Sequence, residues 1–152
     1  MSQSSAAKRV LILCTGNSCR SQMAEGWVRH DLGDRWEVAS AGTHPASIVH
    51  PLAVQVMREA GVDIGGQRPK HVDTVASERW DLVVTVCDSA REECPVFPAA
   101  AEQIHVGFPD PIQQLGTLEE RTAAYRDVRD DIRARLVPEI SRRSERREDG
   151  KR

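Results

Sequence analysis

The chain predicts one α/β domain: a parallel sheet of four strands with helices on both faces. Three observations carry this. Arg9-Val10-Leu11-Ile12-Leu13 and Asp81-Leu82-Val83-Val84-Thr85-Val86 are short apolar runs, of the kind found in strands buried on both faces. Segments with helical spacing alternate with them, which implies βαβ units and right-handed crossovers. No internal repeat and no Pro- or Gly-rich linker divides the 152 residues, a length that buries roughly 70% of the unfolded surface.

The elements follow in order. Residues 1–8 are small and polar and read as a flexible N-terminus; the domain spans 9–140. Residues 9–13 form the first strand and 21–32 a helix with Met23, Trp27 and Val28 on one face. Trp36-Glu37-Val38-Ala39-Ser40 alternates as a second strand, ended by Ala41-Gly42. Pro51 suits the first position of a helix whose stripe is Leu52, Ala53, Val56, Met57 and Ala60, with Gly61 as its stop. Residues 62–78 are a connection with a short helix from Thr74. Strands follow at 81–86 and 103–106. A last helix runs from about Thr117 to Ile140, with Tyr125, Val128, Ile132, Leu136 and Ile140 at helical spacing. Residues 141–152 are charged and lack an apolar stripe, so a frayed tail is expected.

The totals exclude several classes. Lys plus Arg number 21 and Asp plus Glu 23, a net charge of −2. Neither sign dominates, so neither a nucleic acid nor a membrane surface is expected as partner. No apolar run is long enough for a membrane span, and no signal-like segment opens the chain, so the expected compartment is the cytoplasm. In a reducing compartment four cysteines point to chemistry rather than structural staples. The five histidines lack ligand spacing, so no metal centre is expected. A monomer is the expected state.

The chemistry concentrates in Cys14-Thr15-Gly16-Asn17-Ser18-Cys19-Arg20-Ser21, between the first strand and the first helix. A strand breaking into a small polar loop and then a helix is a place to hold an oxyanion. Cys14 stands at the start as a nucleophile, which must be stabilised as thiolate. Inward backbone N–H groups of residues 15–20, the helix N-terminus and Arg20 supply that stabilisation. Ser21 can donate to the sulfur. Gly16 and Asn17 tolerate the left-handed backbone of a tight ring. The same donors bind a tetrahedral oxyanion, with Arg20 as a bidentate clamp. In a parallel sheet, ligands sit at the carboxyl ends of strands, where Cys14, Cys87 and Asp110-Pro111 converge.

This string, continuing Gln22-Met23-Ala24-Glu25, resembles the low-molecular-weight protein tyrosine phosphatase superfamily, as do Ser40-Ala41-Gly42-Thr43 and Asp110-Pro111. The likeness covers about residues 8–140. It implies a flavodoxin-like sheet of order 2-1-3-4, Cys14 as nucleophile, Arg20 as clamp and Asp110 as general acid. Asp110 must carry a proton to assist departure of a hydroxyl. The superfamily holds both phosphatases and arsenate reductases, so the fold alone does not choose.

Two features favour the reductase. A phosphatase needs one Cys, because water restores it. Two-electron reduction of arsenic leaves an oxidised sulfur pair and needs further thiols. Cys87-Asp88-Ser89-Ala90-Arg91-Glu92-Glu93-Cys94-Pro95 supplies two, in a placement that resembles the thioredoxin-coupled arsenate reductases. If the order is 2-1-3-4, Cys87 ends the strand beside Cys14, about 5 Å away and within reach of a disulfide. Ser89-x-x-Glu92 can cap a helix over 88–94. That helix would hold Cys87 and Cys94 about 10 Å apart, so the segment must loop out when they pair. Melting would carry Cys94 toward the surface and a thioredoxin. The second feature is the absence of aromatic residues after Asp110-Pro111, where Ile112-Gln113-Gln114-Leu115-Gly116 follows. Trp27, Trp36, Trp80 and Tyr125 all read as core, and a pocket with no aromatic wall suits a bare inorganic oxyanion.

The expected activity is therefore reduction of arsenate to arsenite through Cys14, Cys87 and Cys94, recycled by thioredoxin, with phosphate or sulfate as other loop ligands. A low-molecular-weight protein tyrosine phosphatase, or a non-enzymatic redox or oxyanion sensor, remains the alternative. Cys19 reads as structural. No bound cofactor is expected. The resemblance implies a potassium site through Asn17, Glu25 and Ser40. The further carboxylate expected there falls at Lys70, whose ammonium can replace the ion, so the ion requirement stays open.

Overall fold

The computed structural model describes residues 7–88, 97 and 100–150, with side chains through Arg143. Four parallel strands form one sheet in the order β2-β1-β3-β4. They are β1 (Lys8–Cys14), β2 (Trp36–Gly42), β3 (Leu82–Thr85) and β4 (Gln103–His105). The helices are α1 (Arg20–Leu32), α2 (Pro51–Glu59) and α3 (Leu118–Gly150). This is the expected flavodoxin-like sheet. No helix among the described residues is long and apolar enough to cross a membrane.

β1 is the inner strand that carries the site. Val10, Leu11, Ile12 and Leu13 are fully buried because both faces of the sheet are covered. Val10 and Ile12 point into the core shared by α1, α2 and α3, with Met23, Trp27, Val56, Met57, Tyr125 and Ile132. Leu11 and Leu13 point to the other face, under Val75, Trp80 and Phe97. A short 3-10 helix, Val72–Thr74, lies on that second side.

Local signals explain the element ends. Pro51 opens α2, with the His50 ring accepting from Leu52 N. Val62 N returns to Met57 O and Gly61 takes φ +87°, which closes the helix in the manner of a Schellman turn. Thr117 and Glu120 bond reciprocally across the first turn of α3, a capping box.

Four details differ from the sequence pattern. β2 runs on to Gly42, two residues past Ser40. Ala60 lies beyond the last turn of α2 and is exposed. The 3-10 helix ends at Thr74 rather than starting there, because the His71 ring accepts from Asp73 N and sets its first turn. α3 passes Ile140 and continues to Gly150. Ion pairs carry it past the end of the apolar stripe: Arg142 and Arg143 both reach Glu139, and Arg143 also reaches Glu102.

Ile132 is fully buried under the sheet. Ile132→Ala is expected to cost about 2–5 kcal/mol, read as a lowered urea midpoint with an unchanged slope.

Candidate functional site

The loop after β1 is shaped from outside. The carbonyls of Thr15, Gly16 and Ser18 accept from His44 N, Ala46 N and His50 N, each at 2.9 Å. Asn17 O accepts from Gln22 Nε2 at 3.0 Å. A peptide unit is planar, so an outward carbonyl turns the next N–H inward. Residues 16–19 thus present their N–H groups to the concave side, and Asn17 N donates to Cys14 Sγ at 3.3 Å.

Of the two residues expected to take a left-handed backbone, only Asn17 does, with φ 49°; Gly16 does not. Asn17 tolerates it because its short polar side chain is fully used. Oδ1 accepts from Lys70 N at 2.9 Å, and Nδ2 donates to Ser21 Oγ at 2.7 Å and Ser40 Oγ at 2.9 Å. The glycine that geometry demands is Gly42. A Cβ there would stand 2.4 Å from Thr15 O and 3.0 Å from Asn17 Cβ. Gly42 ends β2 opposite Cys14, where the loop folds over the strand.

Cys14 and Ser21 are buried and adjacent, with Sγ and Oγ 2.9 Å apart. Ser21 Oγ already accepts from Asn17, so its proton is free for the sulfur. The N-cap residue of α1, Cys19, makes no side-chain capping hydrogen bond to its first turn. Arg20 is 3% exposed. Its guanidinium donates to Phe108 O at 3.2 Å and pairs with Asp110 at 3.3 Å. The other oxygen of Asp110 accepts from Ile112 N and caps the 3-10 helix Pro111–Gln113. Positive and acidic groups therefore meet at one rim. Beside Asp110 a cavity of about 690 Å³ opens, lined by Asp88, Pro111, Gln113 and Asp127 among others, with no aromatic side chain in its wall.

Cys19, the other thiol of the loop, points away. It is buried and donates to the Tyr125 hydroxyl at 3.6 Å. Burial pushes its pKa up to about 11. Tyr125 stacks against His50, whose own pKa is lowered by burial and by Arg121.

Cys87 follows β3, is fully buried and is disulfide-bonded, whereas Cys14 and Cys19 are free thiols. Cys94, and the helix expected up to it, fall on residues outside the described ones. Leu13 pairs with Thr85 in register, and Val86 N donates to Leu13 O. Cys14 and Cys87 thus leave neighbouring strands at the same edge of the sheet and share one core cluster.

The potassium ion implied by the resemblance does not fit these side chains. Glu25 is 5% exposed; its Oε1 accepts from Ser40 and its Oε2 from Arg29 at 2.5 Å. Asn17 turns N–H donors, not its oxygen, toward Ser40. The Arg29 guanidinium already pairs with the Glu25 carboxylate. Lys70, expected to replace the ion, does not: it contributes its backbone N and O to Asn17 and Gly42. Among the described residues no group of His, Cys, Asp and Glu could hold a metal ion.

Sequence reasoning missed Gly42, Gln22, Arg29 and the 44–50 brace. Gln22 and Gly42 stand in the strings that carry the resemblance, without a role read for them, and Arg29 left a spacing signal, four positions after Glu25 on one helix.

Comparison with known proteins matches residues 9–140 to the low molecular weight phosphotyrosine protein phosphatase family. An arsenate reductase from Halalkalibacterium halodurans is 49% identical over 129 residues, 85% of this chain and 92% of that protein. A solved arsenate reductase in the phosphate-binding state superposes with a TM-score of 0.71 at 28% identity, covering 89% of this chain and 98% of that one. A thioredoxin-dependent arsenate reductase from Corynebacterium glutamicum does so with a TM-score of 0.59 at 28% identity, covering 87% of this chain and 61% of the other.

Gly42→Ala is expected to displace the loop and cost about 1–3 kcal/mol, with slower alkylation of Cys14 in the folded protein. Cys19 is expected to resist iodoacetamide at neutral pH. Its thiol loses its proton only as the pH approaches about 11, so mass mapping should find Cys14 labelled long before Cys19.

Proposed function

The chain belongs to the low molecular weight phosphotyrosine protein phosphatase family, and from that membership we propose that it reduces arsenate to arsenite, using sulfurs beyond the loop. The observation that carries this reading is the second sulfur site. Cys87 leaves the strand beside β1 and is disulfide-bonded while Cys14 remains a thiol. A hydrolase has no use for that pair. The identity to curated arsenate reductases supports the same conclusion.

In the proposed cycle the loop N–H groups and Arg20 hold arsenate, which phosphate and sulfate can mimic. Ser21 steadies the Cys14 thiolate. Cys14 attacks arsenic(V) and displaces one oxygen, which leaves as water after Asp110 supplies a proton. Arg20 and Asp110 already touch, so a bound anion draws Arg20 away and frees the acid as substrate arrives. The Cys87 thiolate then attacks Cys14 sulfur. The sulfur–arsenic bond breaks with its electron pair left on arsenic, which departs as arsenite, arsenic(III), and a Cys14–Cys87 disulfide forms. Cys94 attacks Cys87 and releases Cys14 as thiolate. A thioredoxin dithiol reduces Cys87–Cys94 and takes up the oxidation, as the name of the Corynebacterium relative suggests. No step passes through a metal ion. The expected compartment is the reducing cytoplasm, where such a donor is present.

Arsenate-dependent NADPH oxidation with thioredoxin and thioredoxin reductase tests this reading. Cys94→Ser is expected to make one equivalent of arsenite per enzyme and then stop. Sustained turnover of that variant with thioredoxin would overturn the relay. Phosphatase activity that survives loss of Cys87 and Cys94, without arsenate reduction, would assign the loop to hydrolysis instead.

A further inference from the structure

A continuous chain of hydrogen bonds connects the Cys14 sulfur to the protein surface, and it ends on Arg29. Ser21 Oγ lies 2.9 Å from Cys14 Sγ. Asn17 Nδ2 donates to Ser21 Oγ at 2.7 Å and to Ser40 Oγ at 2.9 Å. Ser40 donates to Glu25 Oε1 at 2.6 Å, and Arg29 donates to Glu25 Oε2 at 2.5 Å. Asn17, Ser21 and Ser40 are fully buried and Glu25 is 5% exposed.

The polarity of this chain is set at its far end, together with the Lys70 N–H, which donates to Asn17 Oδ1 at 2.9 Å. An ionised carboxylate only accepts, so Ser40 must give its proton to Glu25. Ser40 Oγ must then accept from Asn17, which orients the amide with its N–H₂ toward Ser40. The second N–H of that amide goes to Ser21, so the Ser21 proton is left for Cys14. Reversing any link would cost the sulfur its donor. A buried carboxylate holds this polarity only with a counter-charge. Arg29 supplies it and is itself held by Gln67 Oε1 at 2.8 Å and Val38 O at 3.5 Å.

We propose that Arg29 is a positioning residue for Cys14, a covalently attached cation that fixes the polarity of the Glu25–Ser40–Asn17–Ser21 chain and replaces an alkali metal ion beside the loop. The proposal rests on Cys14 being the nucleophile. Its consequence is that the protein works without potassium, and that truncating Arg29 creates a need for it. A cavity of about 700 Å³ borders Glu25 and Arg29, with Asp63, Arg68 and Lys70 on its wall, so an ion can enter from solvent once the guanidinium is gone.

The test compares the full-length protein with Arg29→Met and Arg29→Lys in potassium, sodium and choline chloride at equal ionic strength. Two quantities are read at neutral pH: the alkylation rate of Cys14 and kcat/KM for arsenate. Wild type is expected to be indifferent to the cation. Arg29→Met in choline should lose about threefold to tenfold in both, and potassium should restore it more fully than sodium. Arg29→Lys should stay close to wild type. A wild type stimulated by potassium as strongly as Arg29→Met would overturn the proposal. So would Arg29→Met matching wild type in choline, or losing activity and melting temperature together with no recovery in potassium. Alkylation needs no arsenate. If arsenate reduction were absent from every variant, the proposed activity would fall while the alkylation rates still decided the role of Arg29.

Discussion

The site depends on where three carbonyls point. Thr15, Gly16 and Ser18 each surrender their oxygen to a backbone N–H of the 44–50 segment. Once those oxygens face outward, planarity leaves the intervening N–H groups no direction but inward. The anion-binding ring is thus not a property of the loop alone. It is imposed by a second loop that holds no chemistry of its own. The bare Cα of Gly42 lets the two strand ends come close enough for this, and the left-handed turn at Asn17 closes the ring.

Within that ring two thiols five residues apart are driven to opposite fates. Cys14 sits among donors, the Asn17 N–H and the Ser21 hydroxyl. Cys19 sits against Tyr125 in the core, where burial raises its pKa to about 11 and keeps it protonated. Both sulfurs are buried, but at Cys19 desolvation outweighs the hydrogen bonds of the Ser18 and Tyr125 hydroxyls. Arg20 shows the same logic for a cation. It is 3% exposed and sustained by the Phe108 carbonyl and Asp110. The group proposed to bind the anion is thereby tied to the group proposed to deliver the proton.

Much of the frame was legible from sequence because it follows from local patterns. The apolar runs at 9–13 and 81–86 are continuous, as strands covered on both faces must be. The stripe from Tyr125 to Ile140 is buried throughout. Cys14, Ser21 and Arg20 could be placed because strand–loop–helix order itself gathers them. What escaped depends on tertiary contacts between irregular segments. Nothing in the spacing of His44, Ala46 and His50 says that their N–H groups serve another loop. Gly42 reads as a strand end until Thr15 is seen above it. The position of Lys70 points to a charge-bearing role, yet its bonds to Asn17 and Gly42 run through its backbone. The continuation of α3 was hidden for a different reason: past Ile140 ion pairs replace the apolar stripe, and a stripe is what periodicity detects.

In the proposed cycle the difference between hydrolysis and reduction lies outside the loop, on the neighbouring strand. The ring of N–H groups and Arg20 would hold phosphate as readily as arsenate, so the oxyanion site discriminates little. In the sheet, β1 pairs directly with β3, and Leu13 sits opposite Thr85. Parallel pairing places both chain exits on one edge, about 5 Å apart, so a cysteine just after β3 leaves the sheet beside the thiol proposed as nucleophile without any dedicated element to bring it there. A phosphatase framework thus needs few changes to become a reductase. The thiol after β3 must be matched by another nearby, and the pair must be reachable by an external dithiol. Parallel strand order, which first served to build an anion site, also sets the distance over which two sulfurs can exchange a bond.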